Sequence, residues 1–153
     1  MEKESSSYHD TNKITQFRKL KIMDIQKNTY IPGVCNIGEE EIKKRKQAGW
    51  IGLIATTVLW TLFIWFDIPP IWRLTLFFPA MMSATGFLQA YMHFCAYFGF
   101  ASLFNFGNVG KTDSVQQAEF RAQDRRRAWQ IVIYSILIGL AISLTAYITS
   151  VLF

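Results

Sequence analysis

The chain has 153 residues, of which 51% are hydrophobic, 16% aromatic and 18% charged, with a mean hydropathy of +0.17. That length holds one domain or one small bundle, and that composition excludes disorder over most of the chain. The formal charge of +5 would suit nucleic acid if the cations formed a patch on a soluble fold, but they are segregated from long apolar runs, so no nucleic-acid partner is expected.

Residues 1–33 read as a flexible basic tail. The first twelve are polar and Ser-rich, and Lys13 to Lys27 mixes apolar residues with cations on no clean helical or alternating template. This stretch is suited to anionic lipid headgroups, where each cation near the surface contributes about 1 kcal/mol, or to a solvated tail that docks on a partner. The tail lacks the order of a cleavable signal and is expected to be retained. Ile31-Pro32-Gly33 then breaks the chain.

Asn36 followed by Glu39 predicts a capped start for a first helix, with the asparagine accepting from a free amide and the carboxylate meeting the positive end of the dipole. That helix is predicted to run unbroken through Lys43, Lys44, Arg45 and Lys46 into an apolar span over about 47–66. Asp67-Ile68-Pro69-Pro70 ends it, because the prolines remove donors, and the shortness of the turn predicts an antiparallel hairpin with a second span over about 74–94. Each run has the roughly 20 helical residues needed to cross about 30 Å of hydrocarbon.

The stretch 95–128 is assigned to a loop. Its first part stays apolar, aromatic and Gly-rich, which predicts a segment lying flat in the interface; a re-entrant loop would need protein to shield its backbone. Ser114 with Gln117 suggests a second capped start, leading through Arg125, Arg126 and Arg127 into a third span over about 129–151. The predicted fold is therefore all-α: a membrane domain over 34–153 with three transmembrane helices.

Charge sets the orientation. Residues 1–46 hold ten Lys and Arg, 111–127 hold five, and the turn between spans one and two holds Arg73 alone. Because cations flank spans on the inner side, the N-terminus is expected in the cytoplasm and the C-terminus in the periplasm. Trp50 and Trp129 at one boundary and Trp65 and Trp72 at the other fit the interfacial preference of the indole.

Small residues recur at helical spacing as Ser83, Gly86 and Ala90, with Thr85, Gln89 and His93 beside them, and as Ser135, Gly139, Ser143, Ala146 and Ser150 on the third span. Such faces are expected to pack on each other or on partner subunits. Cys35, His93 and Cys95 lie at one membrane boundary and make an incomplete set of soft ligands for a metal or haem; reduced, structural cysteines are the plainer reading. No phosphate-binding, dinucleotide, zinc-protease, paired-cysteine or nucleophile-elbow motif occurs, and no Asp or Glu lies within a span.

The stretch Cys35-Asn36-Ile37-Gly38, the acidic and basic residues after it, Gly86-Phe87-Leu88-Gln89-Ala90, His93-Phe94-Cys95 and Asn105 resemble a family of small three-span bacterial inner-membrane proteins. The resemblance covers about 34–153. It implies a bacterial membrane protein whose Cys-Asn-Ile-Gly start and inner cysteine are shared while the histidine position varies, and it supplies no reaction. The function expected is a non-catalytic accessory, scaffold or assembly subunit of a larger inner-membrane complex, with other integral membrane subunits as partners or a homo-oligomer as the alternative. No cofactor is expected on that reading. The competing expectations are a redox or metal-handling protein using Cys35, His93 and Cys95, and a small homo-oligomeric channel or transporter.

Overall fold

The computed structural model describes residues 30–107 and 111–152, so residues 1–29 of the expected tail lie outside the described residues. The order is helix α1 (Glu39–Trp65), a 3-10 stretch (Pro70–Leu76), helix α2 (Phe77–Tyr91), a short helix α3 (Ala96–Ala101), strands β1 (Leu103–Phe104) and β2 (Asp113–Ser114), and helix α4 (Ala118–Leu152). The stretches Glu39–Trp65, Pro70–Tyr91 and Ala118–Leu152 are long and apolar enough to cross a membrane. The fold is mostly helical, and α1 packs on α2 as a hairpin.

Helix α1 opens with Glu39, Glu40 and Glu41, carboxylates at the positive end of the dipole. It runs through the basic cluster without a break. Asp67, in the left-handed region at φ 47°, ends it and turns the Ile68 amide back to the Phe63 carbonyl at 3.0 Å. The second span departs from expectation in being wound as a 3-10 stretch before it becomes α-helical at Phe77. Pro79 explains this, because it has no amide to give to the Thr75 carbonyl and the α ladder lacks a rung there. The span also stops at Tyr91, short of residue 94. His93 adopts φ 51°, and the Phe94 amide bonds the Gln89 carbonyl at 3.0 Å, the same helix-ending turn as at Asp67.

Helix α2 lies between the other two spans, and its apolar window is the most buried of the three, at 33% against 17% for α1 and 28% for α4. Its small face was expected to meet the small face of the third span or a partner subunit. Instead it meets α1. A Cβ on Gly52 would lie 2.6 Å from the Ser83 amide nitrogen, and one on Gly86 would run into the backbone of Gly49 and the Arg45 carbonyl. The Ser83 hydroxyl donates to the Gly49 carbonyl at 2.9 Å, which holds the two backbones together. Gly139 of α4 instead faces Met81 and the Phe77 ring, with a Cβ there 3.0 Å from the Met81 Cβ. Ser135 and Ser143 are buried and donate to the Ile131 and Leu140 carbonyls of their own helix.

Both core clusters sit where the loops fold onto the helix ends near the cations. Ile37, Ile42, Ala90, Cys95 and Phe98 form one, and Phe94, Ala96, Ala128 and Ile131 the other. The segment after α2 is thus a packed layer. Helix α3 lies against α4, Gly99 passing so close that a Cβ would be 3.0 Å from the Asp124 carbonyl. Strand β1 then pairs antiparallel with β2, Leu103 opposite Ser114. Ser114 therefore does not cap the third helix: the ladder and the Val115 amide, bonded to the Ser102 carbonyl at 2.8 Å, hold it extended until Ala118.

Two glycine variants separate tight from loose contact. Gly86→Ala is expected to destabilise the protein by about 1–3 kcal/mol, since its Cβ would overlap the Gly49 and Arg45 backbone, whereas Gly139→Ala meets the Met81 Cβ and Phe77 ring at 3.0–3.2 Å and loses less. Thermal unfolding in detergent micelles compares the two directly; equal losses would contradict the close approach at Gly86.

Candidate functional site

Asn36, Glu41, Gln89, Asn105 and Asp124 are buried polar residues at the cationic end, while Thr56, Ser83, Ser135 and Ser143 lie within the spans and Arg73 at the opposite turn; Asn36 is the centre of the first group. It is fully buried, and it was expected to cap the first helix, yet Gly38 occupies the cap position and no side chain caps it. The Asn36 amide group instead reads the backbone of Cys95 as a strand would. Its Nδ2 donates to the Cys95 carbonyl at 3.1 Å and its Oδ1 accepts from the Cys95 amide at 2.7 Å. Its main chain adds two more bonds, the N–H donating to the His93 carbonyl at 3.2 Å and the carbonyl accepting from Asn105 at 2.9 Å. One residue therefore joins the stretch before α1 to the turn after α2 and to the end of β1.

Asn105 continues the tie. It is almost fully buried, its carbonyl accepts from Gly38 at 2.7 Å, and its Oδ1 accepts from the Gly107 amide at 2.9 Å. Buried amides left without partners would each cost about 1–3 kcal/mol, so these bonds decide whether the loops can be buried at all.

A second cluster lies on α1. Arg45 does not share the exposure of Lys43, Lys44 and Lys46. Its Nη2 donates to Glu41 Oε2 at 3.3 Å and to Cys95 Sγ at 3.2 Å, and Glu41 and Cys95 are both buried. Burial pushes the Cys95 thiol above the ordinary thiol range, against the smaller downward pull of the Arg45 guanidinium. The same desolvation raises Cys35. Both sulfurs are therefore neutral thiols near pH 7, poor nucleophiles and poor ligands in that state.

The third cluster forms around Asp124, which hides within the basic run preceding the last span. It is fully buried between exposed neighbours, accepting from the Tyr30 hydroxyl at 2.8 Å and from the Gly33 amide at 2.7 Å. Gly33 sits at φ +67°, where a side chain would be strained and would press on Gln123. Residues 30–33, given to the tail on sequence, thus belong to the folded unit. Burial first, and the Asp124 bond and charge next, raise the Tyr30 hydroxyl strongly.

The expected ligands come close along the backbone and diverge at their side chains. Cys95 Sγ faces Arg45, Cys35 Sγ lies 3.7 Å from the Ile37 carbonyl, and His93 is exposed. Among the described residues no three His, Cys, Asp or Glu side chains are grouped to hold a metal ion. Gln89 is buried beside Arg45, and Ala90 lies in the core under Ile37. Arg125 and Arg126 are exposed, and Arg127 Nη1 bonds Gln130 at 3.2 Å. Asn105 was noted on sequence for its resemblance alone, and the residues that sequence reading missed are Glu41, Asp124 and Tyr30, together with Gly49 and Gly52. Only the glycines carried a signal, a three-residue spacing of the kind that brings helices close. No protein-family model, curated protein or solved structure matches the chain.

Removing the Asn36 amide should release the turn it holds. Asn36→Ala is expected to cost on the order of 3 kcal/mol and to make Cys95 react with a maleimide at least tenfold faster, while Cys35 changes little. Unchanged protection of Cys95 would contradict the tie. The raised thiols and phenol also fix a sign: the unfolded chain ionises first as pH rises, so stability is present at neutral pH and is lost on the alkaline side. The unfolding midpoint should be flat near pH 7 and fall above about pH 8.5, with Tyr30→Phe flattening the decline above about pH 10.

Proposed function

We propose that this chain is a non-catalytic accessory or assembly subunit of a larger bacterial inner-membrane complex, with its N-terminus in the cytoplasm and its C-terminus in the periplasm. The observation that carries the reading is the use made of the polar groups at the cationic end. Asn36, Asn105 and Asp124 are bound up in holding backbone and Arg45 in holding Glu41 and the Cys95 sulfur, and around them stand the exposed Lys43, Lys44, Lys46, Arg125 and Arg126. Exposed Tyr97, Phe100 and Trp129 border the same surface, the last two in edge contact at 5.3 Å. A fixed cationic and aromatic platform suits recognition of a partner subunit or of anionic headgroups.

The polar residues of the spans support the same reading over a channel. Thr57, Thr61, Thr85 and Thr145 each donate to the carbonyl four residues back on their own helix, at 2.7–2.9 Å, which satisfies them without a water path. The orientation rests on fifteen of sixteen Lys and Arg lying on one side of the three spans. The resemblance carried by Cys35-Asn36-Ile37-Gly38 supports a bacterial source, and other integral membrane subunits, or a second copy of the chain, are the partners implied.

Extraction in a gentle detergent followed by native electrophoresis and mass spectrometry tests the proposal. A defined larger species holding reproducible partners is expected, weakened when Lys43, Lys44, Arg125 and Arg126 are replaced together by Gln. A free monomer with no companion would overturn it. A phosphatase reporter active only in the periplasm should light up when fused after Phe153.

A further inference from the structure

One groove on the α1–α2–α4 face shares Lys46 with the cationic platform and runs from it along the apolar spans. At the cationic end it opens as a cleft of about 620 Å³ lined by Lys46, Trp50, Phe87, Ala90, Tyr91 and His93. Phe87 and Tyr91 also line a second cleft of about 330 Å³, so the two adjoin along these side chains. The second runs toward the middle of the spans, floored by Ala80 and Ala84 of α2 and walled by Leu53 of α1 and by Ile138 and Ile142 of α4. Both volumes fall in the range of small-molecule sites.

The charge is at one end only. Lys46 and His93 stand at the mouth with the exposed amphipathic rings of Trp50 and Tyr91, while Ser83, the polar residue of the inner part, has its hydroxyl on the Gly49 carbonyl. From Ala80 to Tyr91 the groove extends about 16 Å at ~1.5 Å per residue, close to half of the ~30 Å hydrocarbon core. Its depth is that of one leaflet. The shape is fixed by packing: Gly49 admits the Phe87 ring, with a Cβ there 2.9 Å from it, and the Trp50 ring meets Phe87 edge-on at 5.6 Å.

We propose that this groove is a site for one anionic phospholipid, its phosphate between Lys46 and His93 and one acyl chain along Phe87, Ala84 and Ala80 between α1 and α4. A partner helix suits it less well, because the alanine floor between two helical walls fits a chain of methylenes and an apolar helix would leave Lys46 at the mouth unanswered. The inference concerns the isolated chain and does not depend on the accessory role above.

The test uses delipidated full-length protein in mild detergent, titrated with phosphatidylglycerol or phosphatidylcholine of identical chains and read by native mass spectrometry. Phosphatidylglycerol should bind at least about fivefold more tightly, and Lys46→Gln should remove about fivefold of that affinity, the worth of one cation near an anionic headgroup. Lys111→Gln, an exposed cation off the groove, should leave binding intact, and Ala84→Leu, which fills the floor, should weaken both lipids. Excess inorganic phosphate should fail to displace the lipid. Equal affinity for the two lipids, equal effects of the two lysine variants, or displacement by phosphate alone would each overturn the proposal. If Ala84→Leu does not fold, the lysine comparison decides.

Discussion

The organisation of this protein depends on the pairing of the Asn36 side chain with the Cys95 peptide. A carboxamide has the donor and acceptor of a backbone unit on a short stem, so one buried asparagine can complete the hydrogen bonds of a turn that belongs to no sheet. Without it the Cys95 amide, buried between α2 and α3, would be stranded and its carbonyl left with the Gly99 amide alone, which would loosen the layer of Phe94, Ala96 and Phe98 above the helix ends. Of the two main-chain bonds of Asn36, one holds the His93 turn after α2 and the other, to Asn105, lies where β1 ends and the chain turns toward α4.

Three helices then meet solvent of two kinds. Within the spans, hydrophobic residues face outward and association relies on close backbone approach, as at Gly49, Gly52, Ser83 and Gly86, since lipid gives apolar side chains no reason to hide. At the cationic end water returns, and with it a conventional core of Ile37, Ile42, Phe94, Phe98 and Ile131. The membrane half is loosely covered and the loop half is well packed.

The spans, the hairpin and the cationic boundary were legible because each is written in local composition: twenty apolar residues, two prolines, clustered lysines. The tertiary ties were not. Asn36 and Glu39 have the spacing of a helix cap, and nothing local says that the side chain is claimed by a residue 59 positions away. Asp124 is indistinguishable from its basic surroundings until Tyr30 and Gly33 are seen to approach it. His93 drew notice as a candidate ligand, yet its visible role is conformational, a left-handed residue at a helix end, where His, like Asp at position 67, is tolerated better than most side chains. The small stripe of α2 was recognised, but its partner on α1 was overlooked because Gly49 and Gly52 are embedded in a run read only for hydropathy.

Helix α4 has a mechanical consequence. Its 35 residues make a rod of about 52 Å, against a hydrocarbon slab of about 30 Å. The surplus lies at the arginine-bearing end, where α3 and the Tyr30–Asp124 bond clasp it. With no proline and no break along its length, such a rod ties its clasped polar end to its far end, so that a tilt imposed at one is carried to the other.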